Sequence, residues 1–326
     1  MPDASQSWSQ TIDSLYTSTW AKRKTKATEQ AFLKTPFIYW LRSKNRIEQI
    51  SGFSRIEIPL EYGTNDTVRW ITKGSTVPIN DNELLTMAYE DWKTVSVTIP
   101  RYMQDDKVNR GKAQIISLID TKIGAAERAL WEEFERVMFA DGTGALEPNG
   151  LQNIVTTTPT TGTLHGINRA TSTNTWWRNQ QQDPQGSFAV YGPQDMRNCL
   201  NDITKYSGME QGDIALVTNQ TIFEWYEDLL MDMKSLQNTM MADAGFETIQ
   251  FKGKPLMWCP SAPDGNIYFL CTQYLKFVCD AEYWMEMTDW KEIPNQPFDK
   301  VAQIVCNGNM VCSRPIVQKV LSGITA

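Results

Sequence analysis

Histidine is the side chain that most often serves as general base or metal ligand near neutral pH. This chain of 326 residues has one, His165. A multi-histidine metal site is excluded, and at most one Ser-His-Asp or Cys-His arrangement is left. His165 lies in Gly162-Thr163-Leu164-His165-Gly166, which reads as a surface loop, and no G-x-S-x-G elbow offers it a nucleophile. A structural or solvated imidazole is expected. The six cysteines, Cys199, Cys259, Cys271, Cys279, Cys306 and Cys312, form no C-x-x-C pair, so a zinc ribbon and a thioredoxin motif are absent. Their apolar surroundings predict buried, reduced thiols. Gly142, Gly144 and Gly150 come nearest to a phosphate loop. They lack G-x-G-x-x-G and a Gly-Lys-Ser/Thr ending, follow a helix rather than a strand, and read as turns. Glu132, Glu133 and Glu135, like Glu224, Glu227 and Asp228, have the spacing of a solvated helix face. No calcium loop occurs. The sequence thus offers no catalytic, cofactor-binding or metal-ligating residue.

What it offers instead is contact. The formal charge is -7, and 12 residues are tryptophan. Residues 1–50 hold eight Lys or Arg against four acids, a net +4, which leaves -11 for the rest. The densest basic cluster is Lys22, Arg23, Lys24 and Lys26. It is interleaved with Trp8, Tyr16, Trp20, Phe32, Phe37, Tyr39 and Trp40, so the segment reads as an arm that docks on something. Clustered cations also suit phosphate. Trp176-Trp177-Arg178 could stack on bases or pack in a core or interface. The N-terminus has neither the basic nor the apolar region of a signal peptide, and no apolar run approaches the ~18 residues of a membrane span. A soluble protein made in the cytoplasm, with no membrane partner, is expected.

The elements that would position these residues are legible in part. Ile56, Ile58, Leu60 and Tyr62 alternate with polar residues, as in a half-buried strand. Val68 and Trp70 continue the pattern beyond the turn signal Gly63-Thr64-Asn65-Asp66. Val95, Val97 and Ile99 alternate again, so residues 53–100 read as a protruding β-loop without a core of its own. Ile115, Ile119, Ile123, Ala126, Leu130, Phe134 and Val137 recur at helical spacing, which predicts one helix over 109–139, about 46 Å long at 1.5 Å per residue. Glu127, Glu132, Glu133 and Arg136 would face solvent. A helix over 193–206, a strand at 214–218, a helix over 221–240 capped by Asn219, and strands at 247–252, 255–259, 266–271 and 274–279 make an acidic α/β unit over 191–295. Asn307-Gly308 signals a hairpin between 300–306 and 309–314.

This order of elements resembles the major capsid protein family of tailed double-stranded DNA phages, with the α+β Hong Kong 97-type fold. The resemblance is carried by Gly52-Phe53-Ser54-Arg55-Ile56-Glu57-Ile58-Pro59 through Ile99-Pro100, and by Phe139-Ala140-Asp141-Gly142-Thr143-Gly144 followed by Asn149-Gly150-Leu151. Trp176-Trp177-Arg178-Asn179, Phe251-Lys252-Gly253-Lys254-Pro255, Ile267-Tyr268-Phe269-Leu270 and Val311-Cys312-Ser313-Arg314-Pro315-Ile316 carry the rest. It implies an N-terminal arm (1–50), an extended E-loop (51–94), a peripheral domain (95–190 and 296–326) around the spine helix, and an axial domain (191–295). It further implies a subunit that forms hexamers and pentamers of an icosahedral head shell around double-stranded DNA, and no enzymatic activity. The implied partners are further copies of itself, a separate scaffolding protein, a portal, decoration proteins and packaged DNA through non-specific contacts. The place of residence is the virion, assembled in the host cytoplasm. Arg69, Trp70, Lys73, Trp176, Trp177 and Arg178 are candidate assembly contacts, and Lys22, Arg23, Lys24 and Lys26 a candidate inner-surface patch. An encapsulin-like compartment shell is the nearest alternative, and a hydrolase using His165 a more distant one.

Overall fold

The computed structural model describes residues 36–52, 54–63, 65, 67–76, 79, 83–102, 112–206, 213–230, 249–296 and 298–326, with side chains of the long helix described from residue 121 onward. The basic cluster Lys22, Arg23, Lys24 and Lys26 lies outside them. In chain order the elements are α1 (Pro36–Ser43), β1 (Ile47–Ile50), β2 (Ile56–Glu61), β3 (Leu85–Glu90), β4 (Lys93–Arg101), α2 (Lys112–Met138), β5 (Thr163–Leu164), β6 (Ile167–Asn168), β7 (Gln180–Gln182), α3 (Phe188–Tyr206), β8 (Ile214–Thr218) and α4 (Gln220–Leu230). They continue with β9 (Ile249–Phe251), β10 (Lys254–Trp258), β11 (Asn266–Cys271), β12 (Leu275–Asp280), β13 (Glu286–Met287), β14 (Lys291–Glu292), β15 (Lys300–Cys312) and β16 (Lys319–Ser322). Among the described residues, no helix is long and apolar enough to cross a membrane.

The α2 stripe packs as its spacing predicts: Ile123, Ala126, Leu130, Phe134 and Val137 are all buried. Glu127, expected to face solvent, is buried too. Here Trp131 and Met138 are buried as well, and the helix hides more than the single apolar stripe of a surface helix. Its end is closed by backbone approach rather than by the glycines nearest it. Gly150 passes so close to Ala140 that an added Cβ would lie 2.2 Å from the Ala140 nitrogen and 2.3 Å from its oxygen. Only glycine fits there.

Two six-stranded sheets divide the molecule. In one, β15 is flanked by β4 along one stretch and by β12, β13 and β14 along others, with β1 added parallel to β12. The other runs β7-β16-β11-β8-β10-β9. Strand β8, Ile214-Ala215-Leu216-Val217-Thr218, is buried at every residue, as a strand covered on both faces must be. Ala215 and Val217 join the core shared with α2, whereas Ile214 and Leu216 join the core under α3 and α4. Asn219 caps α4 as expected, its Oδ1 accepting from Ile222 N at 3.1 Å. Helix α3 starts five residues before the expected Pro193. An intrahelical turn is already set by Tyr191 N donating to Ser187 O at 3.0 Å, and proline is tolerated this near a helix start better than in its middle.

Several expectations change. The segment 36–50, read as part of an arm that docks on something, docks on its own subunit: Phe37, Trp40 and Leu41 are buried in the main core, and β1 pairs with β12. Its aromatics form the inward face of a short amphipathic helix. Asp213 clamps this segment, meeting Lys44 and Arg46 at 2.9 Å each. Burial alone would raise the Asp213 carboxyl, but the two cations outweigh it and hold it below its usual range. Strand pairing also crosses the expected domain boundaries. Leu275–Asp280 belongs to the sheet beside α2, and Lys319–Ser322 is an interior strand of the α/β sheet, between β7 and β11. β4 pairs with β15, not with the strand at 56–61; the latter pairs with β3.

The expected hairpin at Asn307-Gly308 is absent, because β15 runs straight through it. Gly308 lies between Lys93 of β4 and Cys279 of β12. A Cβ there would meet Val278 O at 2.8 Å and the Phe277 ring at 3.0 Å. The glycine serves close packing rather than a turn, and Asn307 N donates sideways to Tyr283 O at 3.0 Å. Gly308→Ala is expected to destabilise the subunit by about 1–3 kcal/mol through overpacking, read as a lower denaturant midpoint. A change within a few tenths of a kcal/mol would mean that the strand is interrupted at this point in solution.

Candidate functional site

The β2–β3 ribbon is the root of the extended segment and has a core to sit on. Ile56, Ile58, Leu60 and Ala88 are buried in the main cluster, while Glu57, Pro59 and Glu61 alternate outward. The ribbon is tied to the body at both ends. At its distal end, Tyr62 stacks on Trp176 with ring centroids 5.1 Å apart. At its near end the tie is His165.

The imidazole is 2 % exposed, not on the surface as its loop predicts. Nε2 accepts a hydrogen bond from Cys312 N at 3.1 Å, so the proton sits on Nδ1 and is donated to Glu90 Oε2 at 2.7 Å. The residue has φ +48°, a left-handed conformation that non-glycine residues rarely adopt. In it the His165 carbonyl also accepts from Tyr89 N at 3.1 Å. One residue thus joins β3, the β5–β6 turn and β15. Both ring nitrogens are engaged and covered, so this imidazole cannot serve a substrate as base, which removes the physical basis for the hydrolase alternative. Asn309 adds a second tie: its Nδ2 donates to Asp91 O at 2.9 Å, and its Oδ1 accepts from Asn149 N at 2.8 Å.

Trp177 and Arg178, expected as contacts, work inside the subunit. Trp177 is fully buried and its Nε1 donates to Leu164 O at 3.1 Å. Arg178 Nε donates to Arg169 O at 2.7 Å and its Nη2 to Thr171 O at 3.1 Å, holding the loop in front of the tryptophans. All six cysteines are buried and unpaired in disulfides. Desolvation pushes the thiols of Cys199, Cys259, Cys279 and Cys312 up to about 12, so they stay protonated and unreactive. Among the described residues, no group of three or more His, Cys, Asp or Glu could hold a metal ion.

Beyond Tyr62 the character reverses. Arg69, Trp70 and Lys73 are exposed. Trp70 is fully so, and Val68, Ile71 and Ile79 are exposed beside it. Single exposed apolar residues are ordinary, but four within twelve residues are a concentration that surfaces of single-chain proteins rarely carry. Of the six expected contact residues, three are at this tip, Trp176 holds the root, and Trp177 and Arg178 are internal. Glu90 and Asn309 had no local signal, because their partners lie 75 and 160 or more residues away.

No protein-family model and no curated protein matches the chain. Solved structures do. The chain is similar to the capsid asymmetric unit of cyanophage A-1(L), with 14 % identity, TM-score 0.63, and 86 % of this chain and 91 % of that one covered. The capsid of the native GTA particle matches at 10 % identity and TM-score 0.58, over 86 % and 89 % of the two chains. The holo-SrpI encapsulin complex from Synechococcus elongatus matches at 10 % identity and TM-score 0.51, over 86 % of each.

His165→Ala would leave the Glu90 carboxylate and the Cys312 amide without the imidazole between them. The expected cost is about 3 kcal/mol of subunit stability, with faster proteolytic cutting between residues 63 and 83 as the root loosens. An unchanged unfolding midpoint and cutting rate would show that the ribbon is held without the histidine.

Proposed function

From a chain with the Hong Kong 97-type capsid fold, we propose a major capsid protein of a tailed double-stranded DNA phage, which assembles as hexamers and pentamers into the icosahedral head shell around the genome. The observation that carries this reading is a rigidly rooted segment ending in an apolar, cationic tip that, among the described residues, nothing of its own covers. Obligate assemblies bury surfaces of this kind, and many weak contacts become collectively strong in a closed shell.

The parts follow the sheets. Residues 1–35 are the arm, with Lys22, Arg23, Lys24 and Lys26 turned inward towards scaffold or DNA. The extended loop runs from 51 to 92. The sheet around β15, with α2, is the peripheral part. The sheet around β8, with α3 and α4, is the axial part, and it takes in β7 and β16. A separate scaffolding protein, a portal, decoration proteins and packaged DNA are the partners this reading brings with it, with residence in the virion after assembly in the host cytoplasm. The encapsulin-like reading shares the fold and differs in contents. The basic arm favours nucleic acid over a cargo enzyme.

Electron microscopy of the purified protein is expected to show closed shells, and those from infected cells to hold DNA. Protein that stays monomeric across assembly conditions would sink the reading, while shells filled with an enzyme and no nucleic acid would favour the encapsulin one. The tip is expected to meet the spine of a neighbour, Arg69 and Lys73 pairing with acids such as the exposed Glu132. Reversing both charges (Arg69→Glu with Lys73→Glu) should impair assembly while leaving the subunit's unfolding midpoint within about 0.5 kcal/mol. Normal shells from that double variant would overturn the pairing.

A further inference from the structure

The end of α1 and the turn between β9 and β10 come together where α1 packs on β10. They bring with them Arg42, Lys44, Arg46, Lys252 and Lys254. Asp213 fixes two of these cations, with Lys44 Nζ and Arg46 Nη2 each 2.9 Å from one of its oxygens. Lys254 lies against the same group: burial pushes its ammonium below the usual range, and Lys44 beside it pushes further. Lys252 is exposed at the adjoining turn, and Arg42 on the last turn of α1. Glu48, on the strand that follows, is taken by Lys276 at 2.9 Å. The patch thus sets five cations against the one carboxylate of Asp213, on a chain whose residues after 50 sum to -11.

The turn itself is unusual. Phe251 pairs with Lys254, so Lys252-Gly253 is a two-residue hairpin loop, with φ +49° and +76°. Such a loop favours Asn, Asp or Gly at its first position, and a lysine is held there at a conformational cost. The patch is also polar throughout. Ser43, Asn45 and Gly253 are the exposed residues between the cations, and no large hydrophobic side chain is exposed on α1, β1, β9 or β10. Protein interfaces centre on aromatic and apolar anchors, whereas nucleic-acid interfaces are polar and strongly positive. We propose that this patch is a rigid contact for the phosphates of duplex DNA, on the side of the subunit that faces the shell's interior. The inference rests on the shell reading and adds to the arm a fixed seat on the body. Lys26 precedes Pro36 by ten residues, at most about 35 Å of chain, so arm and patch can bind one duplex. Phosphate contacts carry no base sequence, as suits a shell that must accept every part of a genome.

The salt dependence of binding tests it, with the full chain, a fluorescent duplex of about 30 base pairs and anisotropy as the readout. Lys22, Arg23, Lys24 and Lys26 are first each replaced by Gln, which silences the arm. This chain is expected still to bind the duplex. Adding Lys252→Asn with Lys254→Gln should reduce the magnitude of the slope of log K against log salt by about 2, equally on duplexes of different sequence. Lys252→Arg with Lys254→Arg should keep the slope. Asparagine suits the turn better than lysine, so Lys252→Asn alone separates lost charge from lost fold. It should reduce the slope by about 1 with the unfolding midpoint unchanged or raised. An arm-silenced chain that no longer binds, or a slope that the lysine replacements leave alone, would overturn the patch. Electron microscopy of the same proteins keeps the two readings apart. Shells with an unchanged slope remove the patch alone, and a parent that forms no shells removes the shell reading and with it the patch's place inside.

Discussion

Strand β15 runs for thirteen residues with partners on both edges at several registers: β4 along Lys300–Gly308, and β14, β13 and β12 in turn on the other side. Nearly every outward feature is referred back to it. Cys312 N holds His165, Asn309 holds both Asp91 at the ribbon's root and Asn149 beyond the spine, and Gly308 lets β4 and β12 close on either side. Such a strand must satisfy neighbours on both edges and both faces, so it has no tolerance for an extra methyl at its narrowest point. Its stiffness is what allows a loop more than 200 residues away in sequence to have a defined origin.

The contrast between root and tip follows from this. Up to Tyr62, apolar residues alternate inward and are satisfied by the subunit's own core. After it, apolar residues continue and, among the described residues, find no cover. A fully flexible loop would pay the whole ordering entropy on meeting a partner. Here the anchored ribbon has already met part of it during folding.

Local periodicity made some of this legible in the sequence. The stripe Ile123 to Val137, the buried run Ile214–Val217 and the Asn219 cap all depend on neighbours within a few residues, and each is found where its spacing places it. Features set by distant pairing were not. Asn307-Gly308 has the composition of a turn, and only the presence of β4 and β12 on either side makes it part of a strand. His165 sits in a sequence that reads as loop, and its burial is decided by Glu90 and Cys312, 75 and 147 residues away. Trp177 and Trp176 are adjacent and chemically alike, yet one is interior and the other clamps the ribbon. At the tip, Trp70 was legible as a contact candidate because its segment holds too few apolar residues for a core of its own, and it is exposed.

The place of β16 bears on the timing of synthesis. Residues 319–322 lie between β7 and β11, hydrogen-bonded on both sides, with Val320 and Leu321 fully buried. Lys319 reaches Gln182 Oε1 at 2.9 Å and pairs with Asp202 on α3. A ribosome that has made the first 312 residues has completed β15 but not the strand that joins β7 to β11. The ribbon β2–β3 is made about 230 residues before the strand that closes this sheet. Without β16, β7 loses its neighbour in the sheet and β11 becomes an open edge.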